Sequence, residues 1–354
     1  PFPKIDVNGK KVKLTHGLYS ECLSSLDPAL RKKAFEGMYK AVGSLINTIG
    51  ANYAASVAKD NYLATARGYA SAVEKSTDSD NVPGEVYTKL VKTVGENLEP
   101  VHRYVALRKK ALGAEKLHMY DLYVSLVKEA DLKLKFDEAF ELVLKGLAPL
   151  GEEYIELLRT ARRSRWLDVY ETENKRSGAY SMGVTGVHPF VLLNYSSTAH
   201  DVFTIAHELG HSLHSYYSSK EQDYINADYS IFVAEVASTV NEVLLLKYML
   251  KTETEPAMRK FLLAYYLDMF RTTLFRQTMF AEFELSSHSM AQAGKPLTVE
   301  SLSREYMKLN KKYYGPHVVH DRQIRLEWAR IPHFYHAFYV YKYATGITSA
   351  VNIA

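Results

Sequence analysis

The chain has 354 residues, 47% of them hydrophobic, and 44 Lys and Arg stand against 40 Asp and Glu for a formal net charge of +4. That length supports one large domain or two smaller ones, while a charge so small and evenly mixed, without a basic-aromatic module, excludes a nucleic-acid binder. No apolar run is long enough to cross a bilayer, no charged-then-apolar signal opens the chain, and the single cysteine, Cys22, forms no internal disulfide, so a cytoplasmic protein without a membrane partner is expected.

Residues 1–14 alternate around Asn8-Gly9 and predict a small hairpin. Asp27 caps a helix with Pro28 in its first turn, running to about Lys59, and a second helix reaches Tyr69. The Ser-, Asp- and Asn-rich stretch from Glu74 to Gly84 reads as an exposed loop. Helical patterns resume from Glu85 to Leu112, bent at Pro100 and closed by Gly113. Asp137 caps a further helix that Pro149 interrupts before it continues to about Arg163. Arg159, Arg162, Arg163 and Arg165 read as a solvated helix end.

The pattern then changes. Residues 166–170, 178–182 and 190–194 are short β-like runs separated by Gly and polar residues, which predicts a small sheet. An edge strand of such a sheet can pair with an extended peptide through main-chain hydrogen bonds; strands that merely close a core are the plainer alternative.

Next comes His207-Glu208-Leu209-Gly210-His211, inside a stretch of helical character. Residues four apart share a helix face, so both imidazoles can point at one Zn²⁺, and Glu208 stands beside the ion, free to take a proton from water. The pattern arises by chance in a chain of this composition about 3% of the time, so it needs a third ligand. Glu235 supplies one: it lies in the apolar run 231–239, where a lone carboxylate is costly unless it ligates a cation or pairs with Lys or Arg. Glu242, seven residues on and on nearly the same face, either accepts a hydrogen bond from a ligating imidazole or forms a surface salt bridge. His214 reads as a core histidine, because a fourth protein ligand would remove the water position. A helix from Pro256 to about Ala293 follows, then one from Thr298 to Tyr313, and Gly315-Pro316 begins a loop that could move. In the aromatic stretch 331–343, helical spacing places His336, Tyr339 and Tyr343 on one side with His333 a turn earlier. Neutral Tyr and His suit the stabilisation of a developing oxyanion, although an aromatic-rich helix usually serves a core.

The strings 203–212, 232–239 and 330–335 together resemble oligoendopeptidase F, of the thimet-oligopeptidase-like zinc peptidases, and the similarity runs from about Leu14 to the last residues. The resemblance implies a mainly α, zincin-type metallopeptidase with a small sheet beside its active-site helix, one zinc per chain, and short peptides cut inside an enclosed channel. It assigns peptide alignment to the sheet edge at Gly178, Ala179 and Tyr180, and makes His333 with Tyr343 the best match to the family's His and Tyr donors. Residues 1–165 then form an N-terminal helical region and 166–354 the catalytic core of one continuous domain. The chain starts at Pro1 and stops within an expected helix, so both ends read as cut relative to the family. The expected chemistry is hydrolysis of internal peptide bonds, with Glu208 as base. The alternatives are a metallocarboxypeptidase, which needs a cation for the substrate's terminal carboxylate, and a zinc-stabilised peptide-binding scaffold.

Overall fold

The computed structural model describes residues 3–7, 9–127, 132–176 and 178–354. It is mostly helical with two small sheets. The chain divides into two compact units: the first takes residues up to Leu126 and Arg271–Tyr341, the second Val127–Phe270 and Lys342–Ala354.

The first unit opens with the expected hairpin, β1 (Lys4–Val7) antiparallel to β2 (Lys10–Lys13). Gly9, at φ +81°, makes the turn and donates its amide to the Asp6 carboxylate at 3.1 Å; Asn8 lies outside the described residues. α1 (His16–Ser24) follows, then α2 (Pro28–Ser44), whose Asp27 cap accepts the Ala29 amide. The helix expected to reach Lys59 breaks at Leu45. The Ser44 hydroxyl donates back to the Ala41 carbonyl at 2.7 Å, a side-chain bond that competes with helix continuation, and α3 (Ile46–Ala66) starts afresh. The expected loop at 74–84 is in part a helix, α4 (Ala72–Asp78). Ser71 accepts the Glu74 amide and Glu74 reaches back to the Ala70 amide, a local cap that outweighs the polar composition. α5 (Gly84–Glu96) and α6 (Glu99–Ala111) are separate helices, with Pro100 in the first turn of α6 and not at a bend.

The second unit begins with α7 (Phe136–Gly146), capped by Lys135 with Asp137 inside the first turn, and α8 (Glu152–Arg163). Arg159, Arg162 and Arg163 pair with Glu152, Asp137, Glu141 and Glu156, as a solvated helix end should. The three expected strands are β3 (Leu167–Asp168), β4 (Tyr180–Met182) and β5 (Phe190–Leu192), in the order β3-β5-β4, with β4 antiparallel to β5. α9 (Ala199–Glu221) and α10 (Ile231–Thr252) then pack together. The core joins Val202, Phe203, Leu209 and Leu213 of α9 to Phe140 and Val143 of α7, Leu158 of α8, Leu245 of α10 and Val191 of β5. Burying so many large apolar side chains, at about 1.5–3 kcal/mol each, fixes α9 from the side opposite its polar face.

α11 (Pro256–Met269) passes through wider π-type turns at Phe270–Phe275 into α12 (Arg276–Gln292), in place of one uniform helix. α13 (Val299–Tyr314) has Thr298 as its cap. The aromatic helix expected over 331–343 does not form. A short 3-10 turn spans Pro332–Tyr335, Phe338 sits at φ +60°, and α14 starts only at Tyr341 and runs to Ile353. The left-handed Phe338 is held by tertiary contacts: its amide donates to Glu284 at 2.9 Å and its ring packs edge-on against Tyr87. The one-sided array of His336, Tyr339 and Tyr343 therefore has no helical basis. No helix among the described residues is long and apolar enough to cross a membrane.

Candidate metal centre

The centre forms where α9 and α10 approach most closely. A Cβ on Gly210 would lie 2.7 Å from the Ser238 Cα and 2.8 Å from the Ala237 carbonyl oxygen, so only glycine lets α10 lie this near. Asn241 of α10 fixes the register by donating its side-chain amide to the Ala206 carbonyl at 2.9 Å. The buried Glu235 is thereby brought against the two histidines of α9.

His207 Nε2 and His211 Nε2 are 3.2 Å apart, and Glu235 Oε2 lies 3.5 Å from the first and 3.7 Å from the second. Two ligands of a tetrahedral zinc, each about 2.0–2.2 Å from the ion, are separated by roughly 3.3–3.6 Å. The three atoms thus outline one face of a coordination tetrahedron. Neither Glu235 nor Glu208 has a Lys or Arg partner among the described residues, so pairing with a protein cation does not account for either carboxylate. The Ser238 hydroxyl donates to Glu235 Oε2 at 3.1 Å and steadies it.

Glu242 lies against His207, accepting from Nδ1–H at 2.6 Å. That bond commits Nδ1–H and leaves Nε2 toward Glu235 and His211, where a cation would take the place of its proton. Burial works against charge on His207, but the Glu242, Glu235 and Glu208 carboxylates outweigh it and hold the ring up at about 9. His211 is pushed down to about 3, by burial first and then by His207 and His214. His214 is not part of this group; its ring stacks on Tyr229 at 3.7 Å.

Glu208 is 6% exposed and its Oε2 has no hydrogen-bond partner. The Ser181 backbone amide of β4 reaches its carboxylate. The Ser212 hydroxyl donates to the Glu208 carbonyl at 2.8 Å, so Ser181 is the donor in the 2.8 Å contact between the two hydroxyls. β4 is thus tied to α9 at the residue that holds the free carboxylate oxygen. Burial first, then Glu235 and Glu242, raise Glu208 to about 7, with His207 opposing. Two imidazoles among three carboxylates, with one buried oxygen unpartnered, form a donor set that fits a divalent zinc-like cation.

Of the expected sheet-edge residues, Gly178 is at φ +89° with its carbonyl held by Asn194 at 2.7 Å, and Tyr180 starts β4, the outer strand of its sheet. Tyr180, Met182 and Phe190 are exposed, an apolar strip along β4 and β5. Tyr343 is half-buried on α14, one turn before Gly346, where a Cβ would stand 3.2 Å from the Glu235 carbonyl carbon. Tyr343 therefore occupies the α14 face turned to α10. His333, His336 and Tyr339 belong to the other unit, where the Tyr339 ring stacks 6.0 Å from His333 and 5.2 Å from His336. Burial, with His336 adding, lowers the pKa of His333.

Ser181, Ser212, Ser238 and Asn241 were not singled out from the sequence. For α10 a signal exists: Glu235, Ser238 and Glu242 recur on one helix face in an otherwise apolar stretch, which marks a buried polar seam.

Residues 22–354 match the family model described as Peptidase family M3. The chain is 49% identical over 350 residues to oligopeptidase PepF of Bacillus subtilis (strain 168), covering 99% of this chain and 52% of that relative. It is 41% identical to the chromosomal oligoendopeptidase F of Lactococcus lactis subsp. cremoris, covering 100% of this chain and 58% of that one. The crystal structure of oligoendopeptidase-F from Enterococcus faecium superposes with a TM-score of 0.77 at 39% identity, over 99% of this chain and 57% of that one. The chain thus spans a little over half the length of these relatives, and the resemblance drawn from the three strings is borne out.

Proposed function

Because the chain belongs to peptidase family M3, we propose that it hydrolyses internal bonds of short peptides with one zinc ion held by His207, His211 and Glu235. The observation that carries this reading is the convergence of three ligand atoms beside a buried carboxylate oxygen, Glu208 Oε2, that has no partner. The ion, when bound, polarises the scissile carbonyl and lowers the pKa of water toward about 7. Everything else is done by the chain's own groups.

Glu208 takes a proton from the attacking water at Oε2, the buried oxygen without a partner, and returns it to the leaving nitrogen. His207 is kept in its ligating tautomer by Glu242. Tyr343 and His333, with His336 and Tyr339 as further candidates, donate hydrogen bonds to the oxygen that gains charge as the carbonyl becomes tetrahedral. The outer edge of β4, from Gly178 through Tyr180, aligns the peptide through its main chain, and the exposed apolar strip accepts side chains without demanding one identity. A cytoplasmic setting accords with the single cysteine and with peptide substrates.

The test is a peptide blocked at both ends, incubated with the zinc-loaded chain and analysed by mass. Internal cleavage that stops on chelation and returns with zinc is expected. Cleavage only of peptides with free C-termini would make the chain a metallocarboxypeptidase, and binding without cleavage would make it a scaffold.

A further inference from the structure

Residues 222–230 join α9 to α10, and much of this connection stands clear of the core: Tyr224 and Ile225, in its short 3-10 turn, are exposed. Side chains of α9 hold its later half. The Ser218 hydroxyl donates to the carbonyl of the buried Ala227 at 2.5 Å. Tyr229 lays its ring flat on His214, with centroids 3.7 Å apart and planes 13° from parallel, and its hydroxyl shares a 3.0 Å hydrogen bond with that of Ser215. His214 Nδ1 is buried with no hydrogen-bond partner among the described residues, so the ring works here through its face.

His214 and Ser215 lie in the turn of α9 that follows His211, and Tyr229 directly precedes Ser230, whose hydroxyl caps α10 by accepting the Phe232 amide at 3.2 Å. Glu235 stands about one turn further on. Beyond it, the close approach of Ser238 to Gly210 and the bond from Asn241 to the Ala206 carbonyl fix the helix. Ahead of it, Ile231 and Val233 of the first turn are exposed and add little to the core. Helix ends open at little cost in free energy unless contacts outside the helix hold them. The grip of α9 on Tyr229 is such a contact, and every group in it belongs to the second unit.

We propose that Tyr229, through its ring on His214 and its hydroxyl on Ser215, is a positioning residue of the metal centre: it pins the entry of α10 to α9 and keeps Glu235 seated beside His207 and His211. The inference rests on the reading of Glu235 as the third ligand and adds to it residues that act only through that ligand. When the entry opens, Glu235 leaves the ligand set, and the apparent zinc affinity falls with the fraction of chains that remain closed.

The test measures the zinc dissociation constant of the intact chain by competition with a chelator of known affinity, with circular dichroism to show that each variant is folded. Tyr229→Leu removes one stacked ring and should weaken zinc binding about threefold to tenfold, the factor that one ring pair supplies. His214→Leu removes the pair from its other side and should give the same loss. Tyr229→Phe keeps the ring and should recover most of the affinity, and Ser215→Ala, which removes the other end of the same hydrogen bond, should match Tyr229→Phe. In a chain that also carries Glu235→Ala, Tyr229→Leu should cost nothing more, because the residue acts only through Glu235. Unchanged zinc affinity in folded Tyr229→Leu and His214→Leu chains would overturn the proposal. An equal loss with and without Glu235 would overturn it too, as the mark of a general loosening of the fold. Glu235→Ala alone separates this proposal from the reading beneath it: if that variant binds zinc as tightly as the wild type, Glu235 is no ligand and both fall.

Discussion

A single ring does two things at His207: Nδ1–H is committed to Glu242 at 2.6 Å, and Nε2 is left among the other ligand atoms. Of the proposed hydroxyl donors, Tyr343 lies in the second unit, on the α14 face that meets Glu235. Tyr343→Phe removes one hydroxyl that acts mainly in the transition state, so kcat should fall about 10²-fold with KM little changed. Steady-state kinetics on Tyr343→Phe and, as its control, Tyr339→Phe check this. A large loss at Tyr339 with none at Tyr343 would transfer the role to the His333–Tyr339–His336 group, and loss at neither would remove both phenols from the chemistry.

At the scale of elements, the centre depends on how near α10 comes to α9, and Gly210 sets that distance. Gly210→Ala puts a methyl 2.7 Å from the Ser238 Cα, against backbone that cannot rotate away. Overpacking of this kind costs about 1–3 kcal/mol, so urea unfolding should show a lower midpoint together with weaker zinc binding. Unchanged stability would mean that the helices separate freely. Much of this level was legible in the sequence, because its determinants are local. The spacing of His207 and His211 requires only a helix, Glu235 stands out as an acid in an apolar run, and the three strands fall within their expected stretches. The capping pair Ser71 and Glu74 was equally local, yet the polar composition around it masked a helix. The turn at Phe338 was not legible, since it is held by Glu284 and Tyr87, far away in sequence, against the helical preference of its own neighbours.

At the scale of the molecule, each unit buries a polar cluster that ties stability to solution conditions. In the first unit, burial, with Asp60 adding, pushes Glu284 well above the ordinary carboxylate range, and the Phe338 amide opposes it. A folded pKa above the unfolded value gives a contribution fully present below the unfolded pKa, about 4.3, and lost as pH rises toward the folded one. Glu284→Gln stays uncharged, so its melting temperature should gain on the wild type between pH 5 and pH 8, by about 2–4 °C per kcal/mol recovered. A constant gap across that range would show that Glu284 titrates normally. In the second unit, the claim that organises the whole account is that Glu208 is the base beside a bound zinc. Glu208→Gln keeps the shape and the ligands, so zinc content by elemental analysis should stay near one per chain while hydrolysis of a blocked peptide falls by on the order of 10²-fold or more. Full hydrolysis by a zinc-replete Glu208→Gln chain would contradict it.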